Sequence, residues 1–400
     1  MKKNVGRRGF LTGCAGIGLA GFFLQPSTRV GWNELLLASN EYQLTPGNRI
    51  VVLVTLYGGN DGLNTLIPYS NSAYYDARSD LAYDEADVLK LDDDYALNPG
   101  LQDMAGAYRD GQLAILRGVG YPKPDRSHFR SVDIWQSASL DSSVSTGWIG
   151  RWLDTTDGNP VQALHLGPVL PRLAVGEKCS AAAFTSRVAP QPSHTKLMSA
   201  LSSPDKRDSA SMRFVCDSYR DTVGVNERFL PIFDDEGEAS IGSLAGQLDA
   251  AAACIEAGMP TRVYSVQLGG FDTHADERTT QQALLAVLDG ALARFRARLR
   301  GDRHGKNVVV MVYSEFGRRV AANSSDGTDH GTAGPVFILG EDVVGGFYGD
   351  DPGLKDLVGE DLKVTMDFRD IYNDILVEVL GADPEPVVGT GRKRIGFLTA

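Results

Sequence analysis

Three features predict an α/β fold with a mainly parallel central sheet and helices on both faces. The runs Ile50-Val-Val-Leu-Val-Thr-Leu and Val308-Val-Val-Met-Val-Tyr are continuously apolar and of strand length. That is the pattern of strands buried on both sides. Between Val263-Tyr-Ser-Val-Gln-Leu and Val308, Leu284, Leu288, Leu292, Phe295 and Leu299 recur at helical spacing. Acidic and histidine residues then cluster just after the strand runs, where open α/β sheets bind their ligands.

The chain begins with Lys2-Lys3 and Arg7-Arg8-Gly9-Phe10-Leu11, followed by a Gly- and Ala-rich apolar stretch to Leu24. Basic then apolar is the order of an export signal, and paired arginines indicate the twin-arginine route. Residues 1–38 are expected to be that signal and a linker, with Ala38 or the stretch before Phe22 as alternative cleavage points. The product would be periplasmic or secreted. No other stretch is long and apolar enough to span a bilayer, so the mature chain is expected to have no integral membrane segment. Residues 39–400 are expected to form a single α/β domain with a helical insertion near 200–240.

A net charge of −12 argues against a nucleic-acid partner, which requires a basic face. It leaves room for a small anionic ester, because a bound metal reverses the local field. Beyond Cys14, Cys179, Cys216 and Cys254 are odd in number and widely spaced, which is neither a disulfide framework nor a zinc knuckle.

The first strand run ends in Tyr57-Gly-Gly-Asn-Asp61-Gly. Asp61 is either a ligand at a strand end or the closing residue of a Gly-rich turn. Leu101, Met104, Ala105 and Tyr108 pattern a short helix, and Leu113–Gly118 a second strand. The prolines of Tyr121-Pro-Lys-Pro-Asp-Arg126-Ser127-His128 forbid helix until Ser127, which heads the next one. A helix N-terminus suits an anion. Ser127 is therefore either a nucleophile or a plain N-cap, with Arg126 and Arg130 placed to grip anionic oxygens. Short strands are expected at Leu164–Leu166 and Leu173–Val175, and helices over Ile241–Ala257 and Thr365–Leu380. His165 and His194 lack carboxylate company and read as structural, while His304 lies in a polar turn and is expected to face solvent.

The expected site gathers Asp61, Asp272, His274, Glu315, Asp329 and His330 as metal ligands. Mixed carboxylate and imidazole ligation suits one or two divalent ions, with Zn or Mn favoured. His128 is a ligand or a general acid. Arg318, after Ser314-Glu-Phe-Gly, joins Arg126 and Arg130 as an anion-holding candidate.

The Arg-Arg-Gly-Phe-Leu start resembles the exported bacterial proteins grouped as domain of unknown function 1501. So do Tyr57-Gly-Gly-Asn-Asp-Gly-Leu-Asn-Thr, Arg126-Ser-His-Phe-Arg-Ser-Val-Asp-Ile-Trp-Gln and Ser145-Thr-Gly-Trp-Ile-Gly-Arg. Gly270-Phe-Asp-Thr-His, Ser314-Glu-Phe-Gly-Arg and Thr328-Asp-His-Gly-Thr-Ala complete the match. More distantly, the order of Asp61, Ser127, Asp272 with His274, Ser314-Glu315 and His330 resembles the alkaline phosphatase and sulfatase superfamily. The resemblance implies an alkaline-phosphatase-like fold and metal-dependent hydrolysis of phosphate or sulfate esters. Ser314-Glu315 stands where that superfamily carries an Asp-His pair. This departure keeps open a second reading, a non-catalytic exported binding or assembly protein that retains the fold.

Overall fold

The nine strands of the main sheet are β1 Ile50–Leu56, β2 Leu113–Gly120, β3 Ala163–Leu166, β4 Ala182–Phe184 and β5 Val263–Leu268, then β6 Val308–Ser314, β7 Gly334–Leu339, β8 Gly346–Tyr348 and β9 Met366–Asp367. Their order is β8-β2-β7-β6-β1-β5-β3-β4, with β9 also paired to β2. Only β7 runs against its neighbours, antiparallel to both β2 and β6; every other pairing is parallel. The computed structural model describes residues 44–167, 169–184 and 242–399, all within one compact unit. The expected export signal, the insertion near 200–240, His194 and Cys216 lie outside these residues.

Every residue of β1 is buried, as the unbroken apolar run requires. On one face, Val51, Leu53, Val309, Met311 and Val336 pack with Trp135, Trp148, Ile149, Phe368 and Tyr372 from helices His128–Ser137, Trp148–Asp154 and Phe368–Asp374. On the other, helix Leu244–Glu256 packs on β5 and on the long helix Glu277–Leu299. A three-stranded sheet of Leu66–Ile67, Leu89–Lys90 and Ala96–Leu97 lies beside the main one in sequence.

Three local expectations fail, one of them in part: the helix expected over Thr365–Leu380 begins only at Phe368, after β9, and Ile375–Val379 is a π-helix turn. Residues 173–175 form no strand; Arg172–Ala174 is a 3-10 turn. His304 is fully buried rather than solvent-facing, because the turn after the long helix folds it beneath Gly258, and burial pushes its pKa down. His165 is buried beside Ser265 as a core histidine. Cys179 and Cys254 are both buried free thiols, so no bridge joins them. Among the described residues no helix is long and apolar enough to cross a membrane.

This topology brings the motifs together. β1, β2, β5 and β6 are mutually aligned, and β7 runs the opposite way. The segments after Leu56, Gly120, Leu268 and Ser314 therefore emerge at one edge, and the segment before Gly334 enters there.

Candidate metal centre

Three side chains meet at that edge: His128 from the first turn of helix His128–Ser137, Asp272 from the loop after β5, and His330 from the loop before β7. His128 Nε2 lies 3.0 Å from His330 Nε2, and His330 Nε2 lies 3.1 Å from Asp272 Oδ1. His128 Nε2 is 3.4 Å from the same oxygen. His274 Nε2 sits 3.0 Å from His330 Nε2 and 3.0 Å from Asp272 Oδ1, making a second triangle on the shared edge. Ligands at zinc distances of 2.0–2.1 Å in tetrahedral array are separated by about 3.3 Å. The separations within the His128, Asp272 and His330 set, 3.0–3.4 Å, are of that size.

The protons support the same reading. His330 Nδ1 lies 2.8 Å from the backbone carbonyl of Arg126, which can only accept, so this nitrogen carries hydrogen. His128 Nδ1 lies 2.8 Å from Glu315 Oε1, a carboxylate oxygen that also accepts from Gly58 N. In their neutral forms both rings therefore turn an Nε2 lone pair toward the other and toward the Asp272 carboxylate. A shared cation, either a proton on one ring or a metal ion, would relieve the repulsion among these three electron-rich atoms. Outer partners of this kind, one carboxylate and one carbonyl, are what fix metal-binding imidazoles. The Glu315 hydrogen bond holds the His128 pKa above its ordinary value. At Asp272, burial pushes the pKa up, but the Arg318 and His330 bonds outweigh it and bring it to about 2. A charged carboxylate is thus ready at the centre.

The loop after β1 closes the site from below. Gly58 has a φ of +119°, and a Cβ there would stand 2.4 Å from Asp272 N. Only glycine allows this approach.

Several expected ligands take other posts. Asp61 is not in the group: it is buried, with both carboxylate oxygens on the Arg78 guanidinium and one also accepting from Leu63 N. Burial raises its pKa, but Arg78 outweighs that and leaves it lowered. Glu315 touches the centre only through His128; its second oxygen accepts from Ser314 Oγ at 3.0 Å. Asp329 is half-exposed, 3.6 Å from His274 Nδ1, and so stands behind that ring.

The three arginines are all engaged. Arg318 is buried and donates to Gly59 O at 2.7 Å, Thr328 O at 2.8 Å, Phe271 O at 3.0 Å and Asp272 Oδ1 at 2.6 Å. It ties three strand-end loops together, buried among backbone carbonyls rather than turned outward to an anion. Arg130 turns along its helix to Asp133 at 3.0 Å and to Leu140 O. Arg126 is paired with Asp361. Ser127 is exposed at the N-cap of helix His128–Ser137, and its hydroxyl makes no capping bond. It lies in the residue next to His128.

Sequence reading missed Arg78, Glu277, Thr328 and Asp361. Glu277 is buried near Asp61 and accepts from Thr328 Oγ1. Nothing in local spacing marks these residues, because their partners are far away in the chain.

No curated protein matches this sequence. Among solved structures, a protein in the alkaline phosphatase superfamily from Vibrio parahaemolyticus is similar, at 11% identity and TM-score 0.42, covering 87% of this chain and 70% of that one. The lipoteichoic acid synthase LtaP from Listeria monocytogenes aligns at 10% identity and TM-score 0.37, covering 92% and 81%. Alkaline phosphatase from the Antarctic bacterium TAB5 aligns at 10% identity and TM-score 0.35, covering 76% and 95%. The family described as "Protein of unknown function (DUF1501)" matches residues 48–395, and the chain belongs to it.

Proposed function

We propose that this protein is an exported hydrolase that uses a divalent metal at His128, Asp272 and His330 to cleave phosphate or sulfate esters. The observation that carries the proposal is the facing of two Nε2 lone pairs and a carboxylate oxygen at 3.0–3.4 Å. Three protein ligands leave positions open for a substrate oxygen, as in catalytic rather than structural zinc sites. The ion would polarise the ester oxygens and lower the pKa of the attacking group. Ser127 offers that group, an uncapped hydroxyl at a helix N-terminus, where backbone N–H groups favour negative charge. Glu315 holds the His128 proton on Nδ1 and would keep its Nε2 free for the ion. Arg7-Arg8 and the apolar stretch behind them support the export route, as they did from sequence.

One observation favours the second reading, a metal-holding binding or assembly protein without turnover. Arg126, Arg130 and Arg318 already have partners, so anion charge at the centre would fall on the ion and the helix end. Turnover separates the two readings. Protein reconstituted with Zn2+ or Mn2+ would be assayed on nitrophenyl phosphate and sulfate mono- and diesters. The hydrolase reading expects metal-dependent release, abolished in His330→Ala. It expects Ser127→Ala to lose turnover while keeping its metal and its stability, since the hydroxyl caps nothing. Metal-loaded protein inert toward the whole panel would establish the binding reading instead.

A further inference from the structure

The support of His330 leads to a residue outside the centre. The carbonyl that takes the His330 Nδ1 proton belongs to Arg126, in the exposed stretch 122–127. Its position depends on what anchors Arg126. The guanidinium Nε donates to Asp361 Oδ2 at 3.1 Å, and Nη2 donates to the same oxygen. The Asp361 side chain is only 4% exposed, whereas that of Arg126 is 43% exposed. A buried acid is thus spent on a surface arginine, and its other oxygen, Oδ1, has no hydrogen-bond partner. An unpaired buried acceptor costs folding free energy. A plain surface anchor would not need that arrangement.

The segment around Asp361 also grips the loop that carries His330. Thr332 Oγ1 donates to Leu362 O at 2.8 Å, and Val320 N to Glu360 O at 3.3 Å. Arg319 pairs with Glu360. A turn closed between Val358 and Asp361 therefore straps both the His330 loop and the loop supplying its carbonyl.

We propose that Asp361 is a positioning residue for the metal centre. By holding the Arg126 carbonyl, it keeps His330 in the Nδ1–H form with Nε2 turned to Asp272 and His128. The inference rests on reading the cluster as a metal site. Outer partners of ligating histidines typically contribute 10- to 100-fold in metal affinity.

The test uses the mature chain labelled with 15N-histidine, together with Asp361→Asn, Arg126→Ala and the double variant. In metal-free wild type, the His330 nitrogen shifts should report hydrogen on Nδ1; each variant should populate the Nε2–H form. Zn2+ affinity should fall about 10- to 100-fold in each single variant, and no further in the double variant, because both residues act through one carbonyl. Tautomer and affinity unchanged in both variants would overturn the proposal, and so would losses that simply add. If Asp361→Asn fails to fold, Arg126→Ala, on the exposed stretch, decides alone. A wild type that takes up no Zn2+ would overturn the metal reading, and the tautomer readout would still judge Asp361.

Discussion

At the scale of the residue, Asp61 shows how a strand-end carboxylate is committed to a buried ion pair. It follows β1 and a Gly-Gly turn, the place where a ligand was expected. Arg78, at the end of helix Ser72–Arg78, reaches back and occupies both of its oxygens in an interior with no solvent contact. Breaking a buried ion pair by removing one partner costs about 3–5 kcal/mol, mostly from the charge left stranded. Asp61→Asn should therefore lower stability in urea unfolding by about that amount while leaving Zn2+ uptake unchanged. A variant that stayed stable but lost its metal would return Asp61 to the ligand list. The same logic separates Glu315 and Arg318 from their expected roles. Residue type and spacing identified the right neighbourhood, but not which oxygen or nitrogen each group had already committed. That information lies in Gly58, Thr328 and Phe271, whose backbone groups meet these side chains only after the loops close. His128 is the converse: its place at a helix start was legible, and its Nε2 direction follows from Glu315, 187 residues away.

At the scale of the element, the long helix Glu277–Leu299 was legible from its apolar period, but its first turn was not. Glu277 opens it, buried and bonded to Thr328, with Asp61 close by. Burial and then the charge of Asp61 push the Glu277 pKa from an ordinary 4.5 to about 9. The folded chain thus keeps a proton that the unfolded chain releases. Between pH 4.5 and 9 the unfolded state binds fewer protons, so stability should fall as pH rises, with a slope of at most about 1.4 kcal/mol per pH unit. Asp61 acts in the other sense, but its window lies below its ordinary 3.8. Urea unfolding of wild type and Glu277→Gln across this range checks the claim. The variant should be the flatter of the two, and equal slopes would show that Glu277 is ionised in the fold. The strands were the easiest elements to read, because burial on both faces leaves unbroken apolar runs such as Ile50–Leu56. The 3-10 turn at Arg172–Ala174 was not readable from Leu173–Val175, since a three-residue apolar patch carries no period.

At the scale of the molecule, the sheet explains why residues spread from His128 to His330 share one site. Parallel strands deliver their following loops to a single edge, and the one reversed strand, β7, delivers its preceding loop there as well. The edge was legible from strand order and from the acids and histidines that follow the runs. The exact membership of the centre was not, because it depends on how deeply each loop returns into the interior. At that edge His128, Asp272 and His330 are the residues proposed to hold a metal ion. The most direct test is elemental analysis of the purified chain before and after Zn2+ reconstitution, with thermal unfolding alongside. Wild type should hold stoichiometric metal, His330→Ala none, and stability should rise by about 2.7 kcal/mol when free Zn2+ is a hundredfold above its Kd. Wild type that stays metal-free after reconstitution, with the same melting temperature in Zn2+ as without it, would contradict the claim.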